Sequence, residues 1–180
     1  MLKGIYYDFF SIMNFSVPGS CDCLNIKICS KSSDDSNHFK LSSHNFEIGY
    51  YSSLNGKKPN ISTLSLKDVL EWFKVLDLGI KQKAESSLER ALFSLFHMCR
   101  LDGDVTTIIW IFHALEALYK TKVGEGFTNL YQRISSLLKF DGYDQRILKK
   151  TLRKLYDLRC AIVHGGYQIH HPMSSATYRQ

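Results

Sequence analysis

Arg159 and His164 are residue types that can do chemistry on a phosphate ester. They lie in the run Leu155-Tyr156-Asp157-Leu158-Arg159-Cys160-Ala161-Ile162-Val163-His164-Gly165-Gly166. An arginine offers a planar fork of donors that can hold a phosphate and stabilise charge building up on it. An imidazole suits proton transfer, for example taking a proton from a ribose 2′-hydroxyl or giving one to a departing 5′-oxygen.

The surroundings of each residue sharpen this reading. On a helical wheel at roughly 100° per residue, Leu148, Leu152, Leu155, Leu158, Ile162 and Val163 share one arc, with Arg159 near its middle. A cation on an apolar stripe needs a carboxylate, a bound anion or a polar cleft. Glu116, on the flank of an upstream apolar helix, is the expected partner, either as a purely structural ion pair or orienting an arginine that also meets substrate. His164 precedes the stop signal Gly165-Gly166, and a plain helix-capping histidine is the alternative reading there. Five residues apart, the two side chains diverge by roughly 140° on a regular helix. A single protomer therefore aligns them poorly unless the helix ends between them, whereas two protomers can bring paired motifs to a shared cleft.

The same segment carries a basic stripe of Arg146, Lys149, Lys150, Arg153 and Lys154. It can track an RNA backbone, with affinity that falls steeply with salt, or it can be a solvated face. Tyr143, Tyr156 and Tyr167 can stack on unpaired bases, and core packing is the competing role for Tyr156. Asp157 stands at helical spacing from Arg153, as expected for an ion pair.

Several elements must position these groups. Ser65 with Asp68 resembles a capping box and opens a helix that runs through Leu78, where Gly79 stops it. Further helices are predicted over about 82–100, 105–121 and 127–139, followed by the one that ends at the motif. Asp102-Gly103-Asp104 and Asp141-Gly142 are the turns between them. The helix over 105–121 is apolar around most of its circumference, which suits a bundle centre or a dimer interface. Residues 1–62 lack sustained helical periodicity, and short strands are predicted around Gly4 to Phe10, Leu24 to Cys29 and Phe46 to Tyr51. The expected fold is mainly α: an antiparallel helical bundle over 63–180 with a small, partly β element over 1–62. The tail from Tyr167 onward reads as an extended end.

Composition limits the function classes. The chain has 180 residues, 44% hydrophobic and 22% charged, with a formal net charge of +6, enough for a real core and a tilt toward acidic partners. Five cysteines, an odd number, make a poor disulfide framework and favour a reducing cytoplasm. Neither a secretory signal nor a transmembrane helix is expected. Cys21, Cys23 and Cys29 with His38 or His44 match no usual zinc spacing, so no metal and no cofactor is expected. The chain contains no phosphate-binding glycine loop, nucleophile elbow or His-Glu-x-x-His helix.

The run from Leu155 to Gly165, with its arginine and histidine near a helix end, resembles the signature of the HEPN superfamily. Its His-Gly ending is similar to the Apea-like branch, and Ala114-Leu115-Glu116-Ala117-Leu118-Tyr119 resembles that branch's second landmark. The likeness spans roughly residues 84 to 166. It implies a HEPN-like bundle and a homodimer with a composite active site. The implied activity is metal-independent cleavage of single-stranded RNA through Arg159, His164 and Glu116, leaving a 2′,3′-cyclic phosphate. It also implies a toxin, phage-defence or RNA-processing setting, with an antitoxin or defence-system protein as partner. Some members of the superfamily only dimerise or bind RNA, so a non-catalytic module stands as the alternative. Two positions differ from the family pattern: Cys160 follows the arginine where a polar residue is common, and Tyr167 follows the histidine by three positions rather than two.

Overall fold

A computed structural model describes residues 2–29, 36–76, 81–100, 105–122, 124–138 and 142–168. The chain is mainly helical, with one small antiparallel two-stranded sheet near the N-terminus. The elements are α1 (Leu2–Ser16), β1 (Cys23–Cys29), β2 (Ser36–Leu41), α2 (His44–Leu54), α3 (Leu66–Leu76), α4 (Ser87–Met98), α5 (Thr107–Leu118), α6 (Phe127–Leu138) and α7 (Gly142–Val163). They form two compact units, Met1–Val123 and Gly124–Gln180. The division expected between residues 62 and 63 falls inside the first unit.

Two of the three predicted strands are corrected. Gly4 to Phe10 belongs to α1 and Phe46 to Tyr51 to α2, while Leu24 to Cys29 is strand as expected. Exposed Ile5, Tyr6 and Phe9 fill the positions that a one-sided helix would leave polar, and this erases the helical period in α1. The inward residues still keep it. Tyr7, Phe10 and Asn14 follow one helical line, and Phe10 is almost fully buried with Cys23, Leu41 and Cys99. Ile12 and Phe15, on another side of α1, pack against the Phe73 and Leu92 cluster of α3 and α4. α1 therefore joins two parts of the core.

Polar side chains hold the entry to this core. The buried Asn14 amide donates to the carbonyls of Phe10 and Cys21, both at 2.9 Å, and its Oδ1 accepts from the Gly19 N–H at 3.1 Å. Gly19 has φ +85°, and a Cβ there would meet the Glu47 Cβ at 2.8 Å, so the turn after α1 admits only glycine without movement. Ser16 and Leu64 exchange hydrogen bonds at 2.8 Å, tying the end of α1 to the segment before α3.

A capping box opens α4. Ser86 Oγ accepts from the Glu89 N–H, and the Glu89 carboxylate accepts from the Ser86 N–H. α3 begins directly after Ser65, whose carbonyl receives the Val69 N–H at 3.0 Å. α4 and α5 pack antiparallel: Ser94 meets His113 while His97 meets Trp110, so numbers rise along one helix as they fall along the other. The residues expected to form turns at Gly79 and at Asp102 to Asp104 lie outside the described residues, as does the tail from residue 169.

The second unit is a helical hairpin. Phe127, Leu130 and Ile134 of α6 are buried, as is Leu152 of α7. Lys149 lies over the Tyr131 ring at 5.4 Å and Arg153 over the Phe127 ring at 5.2 Å, again the pattern of antiparallel neighbours.

Candidate phosphodiester site on helix α7

α7 has 22 residues, so it is roughly 33 Å long at about 1.5 Å per residue. α6, with 12 residues, spans roughly 18 Å on the same rise and cannot cover its partner along its whole length. This accounts for a correction to the expected apolar arc. Leu152 is buried, but Leu155 and Leu158 are each 37% exposed and Val163 is 49% exposed. Within the hairpin, α6 instead meets the side of α7 that carries Lys149, Arg153 and Tyr156.

Arg159 is half-buried, with its guanidinium carbon 5.8 Å from the centre of the Tyr156 ring one turn earlier. That ring in turn packs on Phe127 at 5.6 Å. Tyr156 is thus a packing residue that also orients the arginine, and a cation over an aromatic face contributes about 0.5–1 kcal/mol at a partly open site. Glu116, the expected carboxylate partner, is a half-buried residue of α5 in the first unit. There it lines a cleft with Arg90, His113 and Lys120.

His164 is exposed at the end of α7. Its N–H reaches the Cys160 carbonyl at 2.9 Å, so its backbone continues the last helical turn. Gly165 then takes φ +74° and returns its N–H to Ile162, while the Tyr167 N–H reaches the Ala161 carbonyl at 3.0 Å. The left-handed turn at Gly165 closes the helix, and His164 follows its last residue, Val163, directly. Arg159 and His164 therefore leave a regular helix in directions roughly 140° apart, and one copy of α7 does not converge them.

The basic stripe divides into two sets. Lys149 and Arg153 lie against the rings of Tyr131 and Phe127, and Arg153 also pairs with Asp157 at 3.0 Å, as the spacing predicts. Arg146, Lys150 and Lys154 are exposed along one ridge of α7. On the wheel that ridge adjoins His164. Tyr167 is half-buried just past the cap, and the Tyr143 side chain lies outside the described residues.

Cys21, Cys23, Cys99 and Cys160 are free thiols. Burial pushes the Cys99 thiol up to about 12 and, with Cys21 and Asp22 nearby, the Cys23 thiol up to about 11. Such thiols are poor nucleophiles and poor metal ligands at neutral pH. Among the described residues, no three His, Cys, Asp or Glu side chains gather to hold a metal ion, and no helix is long and apolar enough to cross a membrane. No family model, curated protein or solved structure matches the chain.

Proposed function

We propose that the protein is a HEPN-like endoribonuclease that cleaves single-stranded RNA without a metal. The observation that carries the reading is the placement of Arg159 in the last turns of a long helix and of His164 directly after its end, beside a cationic ridge. In the proposed reaction the RNA 2′-oxygen attacks the adjacent phosphorus as its proton passes to a base. The P–O5′ bond breaks and the departing oxygen takes a proton, leaving a 2′,3′-cyclic phosphate and a 5′-hydroxyl. His164 serves as the general acid or base, and Arg159 offsets charge on the phosphoryl oxygens. Arg146, Lys150 and Lys154 hold the flanking backbone.

The divergence of the two side chains supports a site shared by two protomers, one supplying arginine and the other histidine. Exposed Leu155, Leu158 and Val163 beside the motif favour such self-association. Mixing tests it directly. Arg159→Ala and His164→Ala protomers, each inactive alone, recover cleavage when combined if the site is shared, because one composite site keeps both groups. Absence of recovery in verified mixed dimers would contradict the shared site.

A non-catalytic RNA-binding module is the second reading, favoured by the packing of Arg159 on Tyr156, which a purely structural arginine also explains. It predicts salt-dependent RNA binding with no cleavage. A toxin or phage-defence role, with a partner protein that restrains the nuclease, rests on the resemblance of the motif alone.

A further inference from the structure

An apolar pocket lies in the first unit, between the end of α1, the start of α2, and α3 with the segment that leads into it. It measures about 650 Å³, within the size range of small-ligand sites. Phe15, Phe46, Ile61, Val69 and Trp72 supply its apolar walls, and Asp68 lies beside them.

The walls are held by hydrogen bonds within the chain. The Ile61 N–H donates to Ser53 Oγ at 2.6 Å, which ties the segment before α3 to α2. Three residues on, Leu64 and Ser16 exchange hydrogen bonds at 2.8 Å, which ties the same segment to the end of α1. Asn14, also on the wall, spends its amide hydrogens and its oxygen on the surrounding backbone. The pocket is thus largely formed before any ligand arrives, and little ordering is left for binding to cost.

Three aromatic rings decide the shape of the guest. Phe15 lies 6.2 Å from Phe46 at an interplanar angle of 68°, and 6.0 Å from Trp72 at 67°. A flat guest stacked on Phe15 cannot also stack on the other two rings, whereas a rounded one can touch all three.

Charge decides the rest. Aromatic faces attract cations, and Asp68 is the one charged side chain among the described residues that line the pocket. It is exposed, and among the described residues none forms a hydrogen bond or ion pair with its carboxylate. The pocket is therefore an acidic spot on a chain of net charge +6. A primary ammonium would bring three N–H donors into an apolar cleft with few acceptors left to take them, which is costly. A quaternary ammonium brings a charge and no donor.

We propose that this pocket binds a small organic cation with a quaternary ammonium head, its methyl groups against Phe15, Phe46 and Trp72 and its charge offset by Asp68. The proposal is independent of the nuclease reading, since neither Arg159 nor His164 takes part.

Calorimetric titration of the full chain with choline, its neutral isostere 3,3-dimethylbutan-1-ol and the flat cation 1-methylpyridinium tests it. Choline binds about tenfold more tightly than either, as expected where several rings and a carboxylate meet one rounded cation. Asp68→Asn weakens choline severalfold and leaves the alcohol unchanged, a difference that a purely structural aspartate would not produce. Trp72→Leu keeps an apolar wall but loses the aromatic face, and it weakens choline more than the alcohol. Choline failing to bind the folded protein at millimolar concentration would overturn the proposal, as would equal affinity for choline and the alcohol. Unchanged choline affinity in both folded variants would overturn it too. Binding of 1-methylpyridinium as tight as that of choline would overturn the choice of a rounded head.

Discussion

Glu89 receives the N–H groups of Glu85 at 2.7 Å and Ser86 at 3.2 Å, and the Lys81 ammonium at 3.1 Å. The Glu85 and Ser86 amides, followed by Lys81, hold its carboxyl down at about 2. Because the folded value lies below the ordinary 4.5, the unfolded chain binds the proton more tightly. The resulting stability is present above pH 4.5 and is lost as the pH falls toward 2. Chemical denaturation across that window should show a steeper loss for the wild type than for Glu89→Gln, which cannot titrate. On the same helix, burial holds the His97 imidazole below its ordinary range, with Arg100 and His113 adding to the effect. His97 stacks on Trp110 at 4.0 Å with the rings 8° from parallel.

At the scale of elements, α4 and α5 form the most extensive helix pair, and Phe112 is fully buried in α5. Phe112→Ala should cost about 3–5 kcal/mol, as for other large-to-small changes at closed core sites, read as a fall in the denaturant midpoint at unchanged slope. How much of the fold the sequence carries also divides by element. In α6 the buried Phe127, Leu130 and Ile134 recur at helical spacing and mark the element by pattern alone. α1 and α2 expose Ile5, Phe9, Ile48 and Tyr51 among their inward aromatics, and this surface hydrophobicity imitates a strand. Ser86 and Glu89, three residues apart, form a capping box at the start of α4. Arg159 and His164 stand out in sequence because a cation breaks an apolar stripe. The pocket around Phe15, Phe46 and Trp72 does not, since it takes one ring from each of α1, α2 and α3, elements that meet only in the folded unit.

At the scale of the whole molecule, the excess of positive charge and the exposed ridge of α7 set the expected behaviour toward RNA. Binding of single-stranded RNA should weaken linearly in log–log plots against salt, with a slope of about −0.7 per phosphate neutralised. Lys150→Ala should make that slope shallower by about 0.7, measured by fluorescence anisotropy at several salt concentrations. Equal slopes would remove Lys150 from the RNA path. The most direct test of the central claim is cleavage of a mixed-sequence, fluorescent single-stranded RNA in EDTA, comparing the wild type with His164→Ala and identifying the product ends. The account predicts cleavage by the wild type alone, with 2′,3′-cyclic phosphate and 5′-hydroxyl ends. Equal cleavage by both proteins, or products ending in a 3′-hydroxyl, would contradict it.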